Sequence, residues 1–322
     1  MTKGTMLLLA ALAALAGCSS SDSDSSGSGG AAGMGGGGGN GGGGAGGEMR
    51  ACAADIEPGE VQMFGDRTPT RTEGLVFDAN GTLYVSAQDQ DGPDQLLDVG
   101  VDGSNESVGE AESILGLESD ARGILGAGIR TANLLLFDPS DGSSEEIATG
   151  LGEPNFVVTT PWDTILVSDD RPNVGSILEV TWEGDVSVWS DEVPTPNGMV
   201  FSLDGSTLYV AATFEEAGLW RVPVSDGQAG TAEKWVAYDT AAPDGVAIDS
   251  EGNVYVALNT AGQIAKVDPE GNSTTITSDL RGVGPASIAF GQGEFDPCSL
   301  YVTSLFTFQM YRVGAGVPGV EK

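Results

Sequence analysis

Short segments in which apolar and polar residues alternate make up most of the chain after residue 70. The segment EGLVFDANGTLYVSA, which begins at Glu73, is an example: an alternating run, a turn, and then a β-branched and aromatic run. Two-residue periodicity bounded by turn residues predicts β-hairpins. Almost no amphipathic helical periodicity follows the N-terminal segment, so the pattern predicts an all-β protein.

This hairpin pattern recurs along the chain. Related segments begin at Asn197 and Asp244, looser copies begin at Asn155 and Ala286, and the weakest copy begins at Arg122. A second hairpin usually follows each copy, so that one unit contains four strands. Units spaced by 33 to 49 residues have the length of propeller blades, and six of them predict a six-bladed β-propeller. A β-sandwich of the same length is the alternative.

Two segments before the repeats have a different composition. Residues 1–17 contain one lysine and an apolar run, which predicts a signal peptide for export, and the motif LAGC, which ends at Cys18, looks like a bacterial lipobox. An ordinary signal peptide without lipidation is the alternative. Residues 18–47 then form the lipidated cysteine and a flexible Ser/Gly-rich tether, and residues 48–322 form the propeller.

These segments also predict where the protein resides. Lipidation of Cys18 would anchor an exported protein to a membrane, and Ser19, where many inner-membrane lipoproteins have aspartate, favours the bacterial outer membrane or cell surface. We expect the propeller to be monomeric. Whether it faces the periplasm or the outside is left open.

The charge of the chain excludes some partners. It contains 47 acidic and 13 basic residues and no histidine, for a formal net charge of −34. Such an acidic surface repels nucleic acid and anionic lipid. Two acidic segments, Ser168–Pro172 and Glu145–Ala148, are interpreted as solvated loops.

Two cysteines remain in the folded part of the chain. Cys52 precedes the first blade and Cys298 lies in the last. In an oxidising compartment an even pair indicates a disulfide, which would here join the two ends of the ring. Two free thiols are the alternative.

One equivalent position in the inner strands of the six units is rich in oxygen-bearing side chains. Four of its six occupants carry a side-chain oxygen donor, and the six are Glu73, Arg122, Asn155, Asn197, Asp244 and Ala286. Because the inner strands of a propeller line its central channel, equivalent positions form a ring. The ring predicts a ligand site, although turn formation explains any single PNG or PDG sequence equally well.

The donor types decide which metal such a ring would bind. A zinc site of nitrogen and sulfur ligands is excluded, because the chain has no histidine and its cysteines are distant. Two carboxylates and two amide oxygens favour Ca²⁺, with Mg²⁺ or Mn²⁺ next. The lack of histidine also excludes a Ser-His-Asp triad.

The same motifs resemble the family of regucalcin, gluconolactonase and the luciferin-regenerating enzymes, over about residues 48–320. TEGLVFDANGTLYVS, EPNFVVTTPWDTILVSDD, TPNGMVFSLDGSTLYVAAT and APDGVAIDSEGNVYVAL each resemble one blade of that family. The resemblance implies that Glu73, Asn155, Asn197 and Asp244 bind a divalent metal. It also implies that Asp244 acts as a general base in hydrolysis of a lactone or related ester, or attacks the substrate directly.

The chain departs from that family beside the third blade. Many sugar lactonases have arginine two residues before the Asn155-type position and aspartate after it, where this chain has Glu153 and Phe156. The departure indicates a small-molecule substrate less polar than a sugar-acid lactone. Arg122 is a candidate substrate-binding cation. The alternative is a non-catalytic surface propeller that binds a ligand or a protein partner and uses the ion only structurally.

Overall fold

The computed structural model describes residues 52–53 and 55–321. The predicted signal peptide, Cys18 and the tether lie outside these residues. Over the described ranges the chain forms β-strands and turns but no α-helix. No described segment is therefore a helix long and apolar enough to cross a bilayer.

Twenty-five strands follow one another along the chain. Their bounds are β1 Val61–Phe64, β2 Arg71–Phe77, β3 Leu83–Gln88, β4 Asp94–Val99, β5 Asn105–Ala111, β6 Leu117–Asp120, β7 Gly123–Gly128, β8 Asn133–Asp138, β9 Ser143–Thr149, β10 Pro154–Thr159, β11 Ile165–Asp169, β12 Ser176–Val180, β13 Val186–Ser190, β14 Pro196–Phe201, β15 Thr207–Ala212, β16 Gly218–Ser225, β17 Gln228–Ala229, β18 Glu233–Ala237, β19 Pro243–Ile248, β20 Val254–Leu258, β21 Gln263–Val267, β22 Ser273–Thr277, β23 Pro285–Phe290, β24 Ser299–Ser304 and β25 Met310–Gly314.

These strands form six antiparallel sheets, which are the blades of a propeller. Blades 1, 2, 3 and 5 are β2–β5, β6–β9, β10–β13 and β19–β22, each in sequence order. Blade 4 comprises β14–β18, with both β17 and β18 paired to β16. The first strand of each blade packs against the first strands of its two neighbours, so that the six inner strands form a closed ring. The predicted six-bladed, all-β architecture is confirmed.

The last blade, blade 6, closes the ring with strands from both ends of the domain. Its inner three strands are β23, β24 and β25, and β1 pairs with β25 as the outer strand. The predicted disulfide between Cys52 and Cys298 is present in the same blade, with the two Cα atoms 5.1 Å apart. The sequence repeats did not indicate β1, because it belongs to none of the six copies.

The core lies between blades rather than at the centre. Each of the six blade interfaces in the described chain holds one apolar cluster, in which residues of adjacent sheets interdigitate. Leu83, Val167, Val210 and Val256, all fully buried, represent four of the second strands. Burial of these alternating apolar positions provides most of the stabilisation, so the polar side chains of the inner strands are available for another role.

Candidate functional site

Four inner strands place an oxygen-bearing side chain at the same level of the channel. Glu73 on β2, Asn155 on β10, Asn197 on β14 and Asp244 on β19 are all buried, with 4–6% of each residue exposed. Adjacent inner strands approach closely at this level. A Cβ atom built on Gly198 would lie 2.3 Å from the carbonyl oxygen of Asp244.

A β-bulge makes each of these side chains available to the channel. The register between the first and second strands shifts at the ring position in blades 1, 3, 4, 5 and 6, which leaves two residues of the inner strand outside the regular ladder. Hydroxyl groups of the second strand satisfy the freed N–H groups. Ser86 accepts from the N–H of Gly74 at 2.8 Å, and Ser168 accepts from that of Phe156 at 2.9 Å. Bulges of this kind re-aim side chains beside functional sites.

Three oxygen atoms of this set have no hydrogen-bond partner although they are buried. They are Oε2 of Glu73, Oδ1 of Asn155 and Oδ1 of Asn197. A buried acceptor without a partner costs roughly 1–3 kcal/mol, and more when it is charged. Unpaired acceptors in three different blades that share one level of the channel therefore indicate a binding site for a positively charged or hydrogen-donating ligand.

The amide nitrogens of the two asparagines and the Asp244 carboxylate have partners of their own. Asn155 Nδ2 donates to Asp170 at 2.8 Å, and Asn197 Nδ2 donates to the Thr213 hydroxyl at 3.0 Å. Asn259 Nδ2 donates to Asp244 at 3.2 Å. Because the side-chain nitrogens of Asn155 and Asn197 are engaged in these hydrogen bonds, their side-chain oxygens are the atoms available to a ligand.

Burial raises the pKa values of the carboxylic acids at this site. Burial raises the pKa of Asp244 to about 7, and the charge of Asp170 contributes to the rise. Burial, followed by the charges of Asp244 and Asp170, raises the pKa of Glu73 well above its usual range. Burial also raises the pKa of Asp170 to about 6, against the hydrogen bond from Asn155. A bound cation would favour the ionised form of all three groups.

The donor set fits a hard divalent cation. Within residues 52–53 and 55–321, no three histidine, cysteine or acidic side chains are gathered as metal ligands. The ring differs from such a group, because two of its four members are carboxamides. Calcium accepts carboxylate and carboxamide oxygens together, and magnesium and manganese also prefer oxygen. The unpaired oxygens of Glu73, Asn155 and Asn197 are atoms of this type.

The alignment of Arg122 with the ring position was wrong. Arg122 lies in the two-residue turn between β6 and β7, at the opposite end of the inner hairpin from the ring, and its side chain is 44% exposed. It pairs with Asp120 and Asp163 and lies 4.0 Å over the Trp182 ring. Its proposed role in substrate binding is thus not supported by its position.

Leu115 occupies the ring position of blade 2. Its carbonyl oxygen accepts a 2.6 Å hydrogen bond from Ser86, as the carbonyl of the ring residue Glu73 accepts one from Thr303 of the preceding blade. Gly116 follows Leu115 as Gly74 follows Glu73, and a Cβ atom there would lie 2.3 Å from the carbonyl of Asn155. In blade 2 the N–H of Leu115 donates to the carbonyl of Ala127, and the N–H of Ala127 donates to the carbonyl of Gly116, so that Leu115 and Gly116 both lie opposite Ala127, just before β6 begins.

The interpretation of Ser168–Pro172 as a solvated loop was also wrong. Ser168 and Asp169 end strand β11, and both are buried, as is Asp170. Ser168 supports the bulge of blade 3, Asp169 pairs with Arg171, and Asp170 orients Asn155. The other acidic segment, Glu145–Ala148, lies in outer strand β9, where its two glutamates are exposed.

Sequence reasoning missed the residues that support the ring, although the repeats contain a signal for them. Asp170, Thr213 and Asn259 follow Asn155, Asn197 and Asp244 by 15 or 16 residues. Each is polar, and each follows the second strand of its hairpin. An alignment extended to the end of the second strand would have found all three.

The fold and this ring define a class: a six-bladed propeller with oxygen donors at the centre. The sequence profile of the SMP-30/Gluconolactonase/LRE-like region matches residues 131–306, more than half of the chain. The chain belongs to this family.

Relatives with established names match over shorter segments. A 6-deoxy-6-sulfogluconolactonase from Pseudomonas putida is 33% identical over 153 residues, which are 45% of this chain and 51% of that protein. Regucalcin from Xenopus laevis is 29% identical over 47% of this chain and 51% of its own length. The chain thus spans about half the length of the curated relatives it matches.

Solved structures agree with the fold over most of the chain. A gluconolactonase from Xanthomonas campestris superposes with a TM-score of 0.67 at 19% identity, over 83% of this chain and 99% of that one. A calcium-binding protein, regucalcin from Agrobacterium tumefaciens, gives a TM-score of 0.65 at 21% identity, over 81% and 96% of the two chains. At such identities the likeness is one of fold.

Proposed function

We propose that the protein is a divalent-cation-dependent hydrolase that opens a lactone or a related ester. The observation that carries the proposal is the set of unpaired, buried oxygens on Glu73, Asn155 and Asn197. Their position beside the Asp244 carboxylate supports a cation site. The name of the Pseudomonas relative, a sulfogluconolactonase, supports lactone opening as the reaction class.

Glu73, Asn155, Asn197 and Asp244 would hold the cation, most favourably calcium and otherwise magnesium or manganese. A cation of this kind, when bound, supplies polarisation of an ester carbonyl and compensates the negative charge that develops on its oxygen. The chain itself orients the carboxamide groups of Asn155 and Asn197, because their amide nitrogens donate hydrogen bonds to Asp170 and Thr213. Preorganised ligands need no rearrangement when charge develops.

Asp244 would carry the proton transfer or the nucleophilic attack. As a base, its carboxylate takes a proton from the water that adds to the carbonyl carbon, and the ring oxygen of the lactone leaves and becomes a hydroxyl. As a nucleophile, it adds to the carbonyl carbon, the bond from that carbon to the ring oxygen breaks, the released alkoxide takes a proton from solvent, and water then cleaves the acyl intermediate. Asn259, at 3.2 Å from one carboxylate oxygen, restricts the orientation of the group in either case.

The test combines calcium binding with turnover. Chelator-stripped protein is titrated with calcium by calorimetry, and hydrolysis is assayed on a panel of five- and six-membered lactones. We expect the wild type to bind one calcium ion and to lose hydrolysis on chelation. Asp244→Ala should lose both, while Asp204→Ala, at an exposed turn, should keep both.

Two outcomes would count against this function. Equal binding and hydrolysis in wild type and Asp244→Ala would contradict the assignment of the site. Calcium binding without hydrolysis of any lactone or ester would instead support the alternative, a propeller that binds a ligand or a protein partner.

The place of action is part of the same proposal. The motif ending at Cys18 supports a lipid-anchored protein at the bacterial outer membrane or cell surface. Incorporation of a labelled fatty acid into the wild type and not into Cys18→Ser would test the anchor. Equal labelling, or none in either, would contradict it.

A further inference from the structure

Three exposed phenylalanines lie on loops at one end of the propeller. Phe214, Phe306 and Phe308 are 41–48% exposed, and they are the aromatic members of the exposed large apolar residues in the described chain. Single exposed apolar residues need no explanation. Here, however, all three aromatic members belong to loops of one type, which join the second and third strands of a blade.

Strand register places these loops at the mouth of the candidate site. Ala212, the last residue of β15, pairs with Pro196, the residue before Asn197. Ser304, the last residue of β24, pairs with Pro285, the residue before the ring position Ala286. The loops that carry the three phenylalanines thus begin at the channel end where the ring lies.

The loop between β15 and β16 of blade 4 is hydrogen-bonded to a residue of the site. Phe214 follows Thr213, whose hydroxyl holds the Asn197 amide. The N–H groups of Phe214 and Glu215 donate to the hydroxyl of Thr195 at 3.1 and 3.2 Å. The backbone that carries the exposed ring of Phe214 is therefore held by hydrogen bonds.

The blade 6 loop is fixed in a similar way. The N–H of Phe306 donates to the carbonyl of Val283 at 3.1 Å, and its ring lies over Gly284, two residues before Ala286. The carbonyl of Phe308 accepts from the N–H of Thr68, which links this loop to the segment that leads into β2. Both residues thus lie beside the entrance next to blade 1, and the Arg67 guanidinium lies 5.7 Å over the Phe308 ring.

The channel wall below this mouth is apolar on part of its circumference. Leu115 and Ala286 hold the ring positions of blades 2 and 6, and Leu115 lies three blades from Asp244, which is opposite it in a six-membered ring. Hydroxyls of a sugar would find no partner on these side chains, and an unpaired polar group costs free energy on burial.

From this arrangement we infer that the substrate of the proposed hydrolase is a lactone or ester with an extended alkyl or aryl substituent. Phe214, Phe306 and Phe308 contact the substituent at the mouth, and the carbonyl group lies at the ring. The inference rests on the proposed function for the identity of the reacting group. The apolar mouth itself makes a separate prediction about binding.

Two ligand series distinguish hydrolysis at the ring from binding of the substituent at the apolar mouth. The first series is γ-lactones with 4-alkyl chains of one to eight carbons, assayed for kcat/KM with calcium present. The second is the corresponding 5-alkyl pyrrolidinones, which resist hydrolysis and report binding alone by calorimetry. Full burial of a methylene corresponds to about a fourfold gain, and partial burial at an open mouth to about twofold.

The variants are Phe214→Ala/Phe306→Ala and, as a control, Leu203→Ala, at a somewhat more exposed residue at the other end of the propeller. We expect both kcat/KM and lactam affinity of the wild type to rise about twofold or more per methylene. The double alanine variant should lose most of this dependence, so that its kcat/KM on the octyl lactone falls toward its kcat/KM on the methyl lactone. Leu203→Ala should behave as the wild type, and Phe214→Leu/Phe306→Leu should retain part of the dependence.

The possible outcomes test the inference about the substituent separately from the proposed hydrolysis. Hydrolysis without chain-length dependence, or dependence that survives in the alanine variant, would overturn the inference and leave the proposed function standing. Lactam binding that strengthens with chain length, without hydrolysis of any lactone, would support the apolar mouth and overturn the proposed function.

Discussion

The side-chain amide of Asn155 donates a 2.8 Å hydrogen bond to the carboxylate of Asp170. The bond fixes which end of the carboxamide points into the channel, because the nitrogen is engaged and the oxygen is left without a partner. Asp170 thus determines the chemistry that Asn155 presents without belonging to the ring itself.

Replacing Asp170 should weaken calcium binding in two separable ways. Asp170→Asn removes a negative charge close to the site and keeps an acceptor for the Asn155 amide. Asp170→Ala removes the charge and the acceptor together. Since loss of a residue that orients a metal ligand typically costs 10- to 100-fold in affinity, we expect calorimetry to give about 10-fold weaker binding for the alanine variant than for the asparagine variant. Equal affinities would contradict an orienting role.

The cation-free protein should lose stability as the pH rises from about 4 to 7. The folded-state pKa values of Asp170 and Asp244 are raised to about 6 and about 7, whereas an unfolded chain has about 3.9. Between these values the folded state binds more protons, so the unfolding free energy falls with pH. The contribution is complete below pH 4 and is lost as the pH passes through 6 and 7.

Urea denaturation from pH 4 to 8, with and without calcium, measures this effect. The variant Asp170→Asn/Asp244→Asn serves as the control, because it keeps the acidic surface and removes the two buried titrations. We expect a flatter profile in the variant. In the wild type, calcium should stabilise more at pH 8 than at pH 5. Identical pH profiles for the two proteins would rule out the raised pKa values as the cause.

A methyl group on Gly198 should disturb the ring without changing any of its ligand side chains. The Cβ atom would lie 2.3 Å from the carbonyl oxygen of Asp244 and 2.9 Å from the Cα atom of Gly245. The inner strands of blades 4 and 5 would have to separate, and such overpacking costs roughly 1–3 kcal/mol. Gly198→Ala should therefore lower the unfolding free energy by about this amount and weaken calcium binding at least about 10-fold.

Gly92→Ala is the matched control for that change. Gly92 lies in an exposed loop, and its Cβ atom would meet only the side chain of Asp89, at 3.3 Å. We expect stability and calcium affinity close to the wild type. An equal loss in both variants would mean that the close approach of the inner strands is not the cause.

The disulfide should contribute to the stability of ring closure. Cys52 and Cys298 are separated by 246 residues, and disulfides typically contribute about 2–4 kcal/mol by restricting the unfolded chain. Cys52→Ser/Cys298→Ser should unfold at lower urea concentration and keep the fold, because β1 still pairs with β25. Reaction of two thiols in the native, non-reduced protein would contradict the bond.

Much of the fold could be predicted because its repeats are regular. The hairpins of blades 1, 4 and 5 combine an alternating inner strand, a glycine turn and an apolar second strand, and their ring residues Glu73, Asn197 and Asp244 align without ambiguity. Blade 2 could not be aligned in this way. Its inner hairpin has a turn of only two residues, so the sequence that resembles a first strand, RGILGAG, is mostly the second strand.

The supporting residues and the closing strand were missed for different physical reasons. Asp170 stands in an acidic segment whose composition is that of a solvated loop, and its burial depends on contacts with another strand. Strand β1 has four residues and no repeat of its own, and it becomes a strand only by pairing with residues about 250 positions later. Neither property is encoded in the local pattern.

The sharing of the last blade between the two ends of the domain sets an order for folding. Ribosomes deliver β1 first and its partner β25 nearly last, so β1 cannot be hydrogen-bonded natively until almost the whole domain has been made. Until then blade 6 has an open edge, and blades 1 and 5 each lack the neighbour that covers one of their faces. Completion of the ring is consequently a late, single event, and a chain truncated within blade 6 would be left as an unclosed arc.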